Sequence, residues 1–150
     1  VEAVRRATPP DLDRCRALVA EALAAAEDQR GGPLLVAAAT RSDAADLVAR
    51  WGGDEDARLF VGTFDGAVVG VAAGWARSDG PARIECLYVE PGARAVGVGA
   101  GLVEALVEWF RSRGCADVDA VALPGDRSTK QLLESAGFKA RLLVLHRSLR

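Results

Sequence analysis

The sequence predicts a mixed α/β fold: a mainly antiparallel sheet flanked by helices. Three observations carry this expectation. Between Arg58 and Val89, apolar-rich segments are separated by the turn signals Asp65-Gly66 and Ser78-Asp79-Gly80-Pro81, the pattern of a three-strand meander. Before and after it, apolar residues recur at three-and-four spacing, which marks amphipathic helices. Toward the C-terminus a helical pattern lies between strand patterns, which implies a right-handed crossover and parallel strands. A sheet that is antiparallel at the front and crossed over at the back needs helices on both faces.

Taken in order, Val1 to Ala7 reads as a short strand. Thr8-Pro9-Pro10-Asp11 comes next as a helix start, with Thr8 or Asp11 as cap. The helix carries Leu12, Cys15, Leu18, Val19, Ala22 and Leu23 on one face and ends before Gly31-Gly32-Pro33. Ser42 to Arg50 reads as a second helix, capped by Ser42, with Trp51 following and Gly52-Gly53 as its stop. The meander strands are Arg58 to Phe64, Ala67 to Ala76 and Arg83 to Val89. A glycine-containing loop then opens a helix from about Val98 to Arg113, whose apolar face is Leu102, Val103, Leu106, Val107 and Phe110, and Gly114 stops it. Ala116 to Leu123 is a strand, Ser128 to Ser135 a short helix capped by Gly137, and Phe138 to Leu149 a final strand.

The 150 residues fit one domain, 1–150, around one core, and half of them are hydrophobic. Nineteen basic and 21 acidic residues leave a formal charge of −2, which gives no pull toward nucleic acid or an anionic membrane. No apolar run approaches the ~20 residues of a membrane span. The N-terminus lacks the order of a secretory signal. Cys15, Cys86 and Cys115 fit neither a disulfide framework nor a zinc site, so the expectation is a reduced, cytoplasmic, metal-free protein. Cys86 is conceivable as a nucleophile, but the only histidine is His146, near the C-terminus, which argues against a Cys–His pair.

The informative stretch is Ile84-Glu85-Cys86-Leu87-Tyr88-Val89-Glu90-Pro91-Gly92-Ala93-Arg94-Ala95-Val96-Gly97-Val98-Gly99. A strand delivers the chain to a loop, and the loop opens a helix. Without side chains at 97 and 99, backbone N–H groups can approach phosphate oxygens. The helix N-terminus adds unpaired donors and a favourable dipole. Arg94 supplies positive charge or shapes the loop through its carbonyls. A dinucleotide fingerprint fits poorly, because Leu102 stands where the third glycine of G-x-G-x-x-G belongs.

Here the chain resembles the GCN5-related N-acetyltransferase (GNAT) family. Val89, Pro91, Arg94, Gly97 and Gly99 match its Val-x-Pro and Arg/Gln-x-x-Gly-x-Gly/Ala signature in type and spacing, and Gly137-Phe138 matches its second block. The resemblance implies the GNAT (acyl-CoA N-acyltransferase) fold with acetyl-CoA as co-substrate. It implies that the motif strand splays from its neighbour, so that Leu87, Tyr88 and Val89 offer backbone to the pantetheine arm. Arg94, Ala95, Val96, Gly97, Val98, Gly99 and Ala100 would hold the pyrophosphate. Asp126 stands at the family's usual Asn, and an ionised Asp cannot donate as an amide does. Arg127 and Lys130 would reach the ribose phosphate of coenzyme A or pair with Asp126 and Glu134.

The implied reaction is transfer of an acetyl group to a primary amine of a small molecule or peptide, by direct attack in a ternary complex. Such an amine is protonated at neutral pH, with a free pKa of about 10.4 as in Lys, and must lose a proton. Strand alternation puts Arg83, Glu85, Leu87 and Val89 on one face and Tyr88 on the other. Glu85 is the candidate base, and burial beside the thioester would raise its pKa toward the working range; an ion pair with Arg83 or Arg77 is its competing role. Leu133 occupies the position of the family's usual acid Tyr. That substitution motivates an alternative, a non-catalytic acyl-CoA-binding or sensing module. No turn signal lies between Phe138 and Leu149, so the chain ends in one long strand or is completed by a partner subunit in a homodimer.

Overall fold

The computed structural model describes residues 1–39 and 43–150. Its sheet has the order β1-β2-β3-β4-β5, with β1 Glu2–Arg6, β2 Ala57–Phe64, β3 Ala67–Trp75, β4 Ala82–Val89 and β5 Val118–Ala120. The first four strands are antiparallel neighbours, and β5 joins β4 in parallel. The hairpin between β2 and β3 turns on Asp65 (φ 50°) and Gly66 (φ 84°), a pair of positive-φ residues suited to a tight two-residue turn.

Helices α1 Leu12–Glu27 and α3 Ala44–Gly53 cover one face of the sheet, while α4 Val98–Ser112 and α5 Arg127–Ser135 cover the other. The first face buries Cys15, Leu18, Val48 and Trp51 against Leu59, Val61 and Val71. The second buries Leu102, Val103, Leu106 and Phe110 against Ala72, Ile84 and Val89. Helix α4 lies low on the sheet because glycines floor it. A Cβ at Gly74 would sit 2.5 Å from the Phe110 ring, one at Gly70 would sit 3.1 Å from Leu102, and one at Gly62 would collide with Val98.

The helix start after β1 is built on Asp11. Its buried carboxylate takes both arms of Arg5, at 2.6 and 2.9 Å, and accepts from the Thr8 backbone at 2.8 Å. The Arg5 guanidinium holds this carboxyl far below the usual carboxylate range.

Several elements depart from the sequence expectation. An additional helix, α2 Gly32–Ala39, comes after α1. Its sequence is apolar throughout, so it has no polar face for periodicity to detect. Helix α3 is capped by Asp43, whose carboxylate accepts from the Asp46 backbone at 2.9 Å, and Ser42 lies outside the described residues. Trp51, Gly52 and Gly53 form the last turn of that helix and lie within it, not beyond its end. The expected strand from Ala116 to Leu123 contracts to the three residues of β5. The expected final strand, Phe138 to Leu149, does not form: the chain after Gly137 has neither helix nor strand. A strand needs a ladder partner for its N–H and C=O groups, and this segment has none within its own fold.

Candidate functional site

Strand β4 pairs with β3 through Cys86 opposite Ala73 and Ile84 opposite Gly74, which leaves Glu85 without a partner. Glu85 is therefore the extra residue of a β-bulge, and a bulge resets the in-out alternation of its strand. Upstream of it, Ala82 and Ile84 face the α4 layer; downstream, Leu87 and Val89 face that same layer. Cys86 and Tyr88 face the α1/α3 layer, and Glu85 reaches that side too, toward Arg50 of α3. The expected grouping of Glu85 with Leu87 and Val89 is thus overturned, and so is the separation of Tyr88 from Glu85. Alternation fails here because one residue is inserted.

Pairing between β4 and β5 covers only Ala82 to Ile84, opposite Val118 to Ala120. From Glu85 to Val89, β4 has no strand on that side among the described residues, so a notch opens between the two strands. The notch leads toward a 3₁₀ segment, Pro91–Val96, that contains Ala95 and ends at the Gly97 turn.

Gly97 has φ 84° and ψ 1° and is the N-cap of α4, a left-handed conformation that L side chains resist. It offers no side chain to cap the first amides of the helix, and uncapped amides at a helix start suit an oxyanion. Gly97 and Ala100 are exposed, whereas Val98 and Gly99 are buried. The second glycine has a different reason from the first. A Cβ at Gly99 would sit 2.9 Å from a terminal methyl of the half-buried Leu132 in α5, so packing against α5 also favours a small residue here. Arg94 shapes the turn: its Nε donates to the Val89 carbonyl at 2.9 Å, and its guanidinium stacks on Tyr88 at 5.6 Å. Burial pushes the Tyr88 phenol up, with the Glu21 carboxylate adding to it.

At the other end of β4, Glu85 lies in a cavity of about 120 Å³ lined by Arg50, Trp75, Arg77 and Arg83. The Arg50 guanidinium is 3.8 Å from the Glu85 carboxylate and lies over the Trp75 ring at 5.6 Å. Arg77, named from the sequence as a rival partner for Glu85, is held instead by Asp79 at 3.1 Å. Sequence reasoning missed Arg50 and Trp75, because neither lies near the motif along the chain.

Asp126 is the N-cap of α5; its carboxylate accepts from the Thr129 backbone at 3.1 Å and from the Ser128 hydroxyl at 3.3 Å. Lys130 lies 3.8 Å from Glu134 on the exposed face of the same helix. Leu133 is buried in the core beneath them. Burial pushes the Cys86 thiol up to about 12, which makes it a poor nucleophile at neutral pH. His146 stands on the exposed C-terminal segment, away from these groups along the chain. Among the described residues no cluster of metal-ligating side chains occurs.

A family model described as the acetyltransferase (GNAT) family matches residues 33–138. Among curated proteins no sequence match was found. Solved structures resemble the chain along its whole length. One, AAC(6')-Iy in complex with the bisubstrate analogue CoA-S-monomethyl-acetylneamine, is 18% identical with a TM-score of 0.72, over 100% of this chain and 99% of that one. The aminoglycoside N-acetyltransferase AAC(6')-Iy in complex with CoA is 18% identical with a TM-score of 0.71, over 99% of each chain. A ribosomal-protein-alanine N-acetyltransferase from Brucella melitensis biovar Abortus 2308 is 14% identical with a TM-score of 0.70, over 99% of each chain.

Proposed function

Because this chain belongs to the acetyltransferase (GNAT) family, we propose that it transfers an acetyl group from acetyl-CoA to a primary amine of a small molecule or peptide. The observation that supports this best is the Gly97 turn. It joins a left-handed cap, open helix amides and a notch beside β4 in one continuous path. The amides at Val98 to Ala100 would take the pyrophosphate, and the free β4 edge at Leu87 to Val89 would pair with the pantetheine arm. The CoA held by AAC(6')-Iy is consistent with such a donor.

In this reading the amine lies beside Glu85. Its nitrogen forms the C–N bond as the thioester C–S bond breaks, and backbone N–H near Val89 polarises the carbonyl. Glu85 takes the ammonium proton directly or through water, and the departing thiolate, with a thiol pKa of about 8.5 by analogy with Cys, picks one up from solvent. A protonated, half-buried Cys86 favours this direct route over an acyl-enzyme. We assign the chain no metal and no membrane or nucleic-acid partner, and place it in the cytoplasm.

The second reading, an acyl-CoA sensor without turnover, is favoured by one observation. The family's acid position is the buried, hydroxyl-free Leu133. Measuring coenzyme A release with acetyl-CoA and a broad panel of amines separates the two: release dependent on an amine is expected, and acetyl-CoA binding without release on any amine favours the sensor. Gly97→Glu, which places a carboxylate in the cradle, is expected to weaken acetyl-CoA binding by about 100-fold or more, in line with losing preorganised anion donors. Unchanged affinity, read by calorimetry, would remove the cradle from this turn.

A further inference from the structure

Three arginines from three separate parts of the chain converge on Glu85: Arg50 from α3, Arg77 from the turn after β3, and Arg83 from β4 itself. Guanidinium groups stay charged at any physiological pH, so one carboxylate stands among three fixed positive charges. Their partners do not balance them. Asp79 takes Arg77 at 3.1 Å, and Glu85 faces Arg50 at 3.8 Å. Arg83 sits opposite Trp75 on one side and Asp119 on the other, but Asp119 is held by Arg141 at 2.8 Å. Among the described residues the exposed Arg83 guanidinium donates no hydrogen bond and forms no ion pair. The surplus positive charge of the cavity therefore falls on Arg83.

The cavity is small, about 120 Å³. A volume of this order admits a group about the size of benzene, which a carboxylate or phosphate on a short stem matches. Arg83 and Glu85 lie two residues apart on one strand, about 7 Å or less at ~3.3 Å per residue. A small zwitterion can therefore reach both, its ammonium toward Glu85 and its anion toward the guanidinium. The guanidinium fork suits carboxylate and phosphate oxygens two at a time. Arg50 is kept at the cavity by stacking on the Trp75 ring at 5.6 Å. The same wall acts against a second positive charge, because an acceptor with several ammonium groups would meet guanidinium groups from three directions.

Resting on the acetyltransferase reading and deepening it, we propose that the acceptor is a small amine carrying a carboxylate or phosphate on a short stem, and that Arg83 is the residue that selects it. Glu85 takes the ammonium end. Arg83 takes the anionic end, within the positive field of Arg50 and Arg77. The selection acts on the acceptor alone, since the amides of Val98 to Ala100 lie beyond the opposite end of β4.

Steady-state coenzyme A release by the full chain tests it, with acetyl-CoA and a matched set of amines. Alanine, 3-aminopropanoate and 2-aminoethyl phosphate carry an anion; propylamine and ethanolamine are neutral beyond the amine; 1,3-diaminopropane carries a second cation. The expected result is a kcat/KM for an anionic amine about 10-fold or more above every neutral and dicationic one, and the carboxylate and phosphate arms show which anion is preferred. Arg83→Gln is expected to raise the KM for that amine about 10-fold with a much smaller change in kcat, and Arg83→Lys to recover part of the loss. Acetyl-CoA affinity, read by calorimetry, reports that each variant is folded. No preference, or a preference for neutral or dicationic amines, overturns the proposal and leaves the acetyltransferase reading standing. Acetyl-CoA binding with no release on any amine removes that reading and this proposal with it. An anionic preference that survives Arg83→Gln in a folded protein also overturns it, because the selecting charge then lies elsewhere.

Discussion

At its C-terminal end, β4 runs into a turn gripped by backbone geometry and core packing; at its N-terminal end, it faces a half-solvated cluster of charges. The first end depends on the φ of Gly97, the hydrogen bond from Arg94 to Val89 and the contact of Gly99 with Leu132. The second depends on Arg50, Arg77, Asp79 and Glu85, whose side chains are all partly or largely exposed. Exposed ion pairs contribute about 0–1 kcal/mol each, whereas a steric intrusion into a packed core costs about 1–3 kcal/mol. The turn end therefore resists change of shape, and the charged end can change its residues at little cost to the fold. One strand thus has a rigid end and an adaptable end, which suits the proposed division between a common donor and a variable acceptor.

Three substitutions test that contrast, beginning with the largest effect. Glu85→Gln is expected to lower kcat by about 10²- to 10⁴-fold, the usual contribution of a general base, with the KM for acetyl-CoA and the Tm nearly unchanged. Steady-state kinetics on an accepted amine would check it, and an unchanged kcat would leave Glu85 as an ion-pair residue only. Gly99→Val drives a side chain into Leu132 and is expected to cost about 1–3 kcal/mol of stability by denaturant titration. If that variant keeps full stability, the turn end is softer than its packing implies. Asp126→Ala removes a helix cap and is expected to cost about 1 kcal/mol, with the acetyl-CoA KM unchanged. A raised KM at normal stability would show instead that Asp126 touches the donor.

Much of this fold was legible because local signals and tertiary contacts agree. The Asp65-Gly66 turn, the apolar face of α4 and the Gly97 turn were all readable from residue type and spacing. The bulge at Glu85 was not, since it is a property of the pairing between β4 and β3 and leaves no mark in β4 alone. Helix α2 escaped because an apolar run without a polar face carries no period. Gly99 was legible as a position without a side chain, but the packing reason for it, Leu132, lies 33 residues later and beyond the reach of the motif. The C-terminal segment has the composition of a strand, and composition cannot say whether the neighbouring edge lies in the same chain. Arg50 and Trp75 reach Glu85 only through the packing of α3 and β3 on β4, which no spacing in the motif encodes.

The bulge has one more consequence, best put as a matter of parity. Without Glu85 the strand would keep a single count from Ala82 to Val89, and every residue facing α4 at one end would fix which residue faces it at the other. The inserted residue breaks that count in two. Deleting Glu85 would remove the carboxylate and the bulge together, and would leave Ala82, Ile84, Leu87 and Val89 facing α4 in one unbroken alternation. The residue that offers the carboxylate is thus the one residue of the strand whose loss would turn no neighbour over.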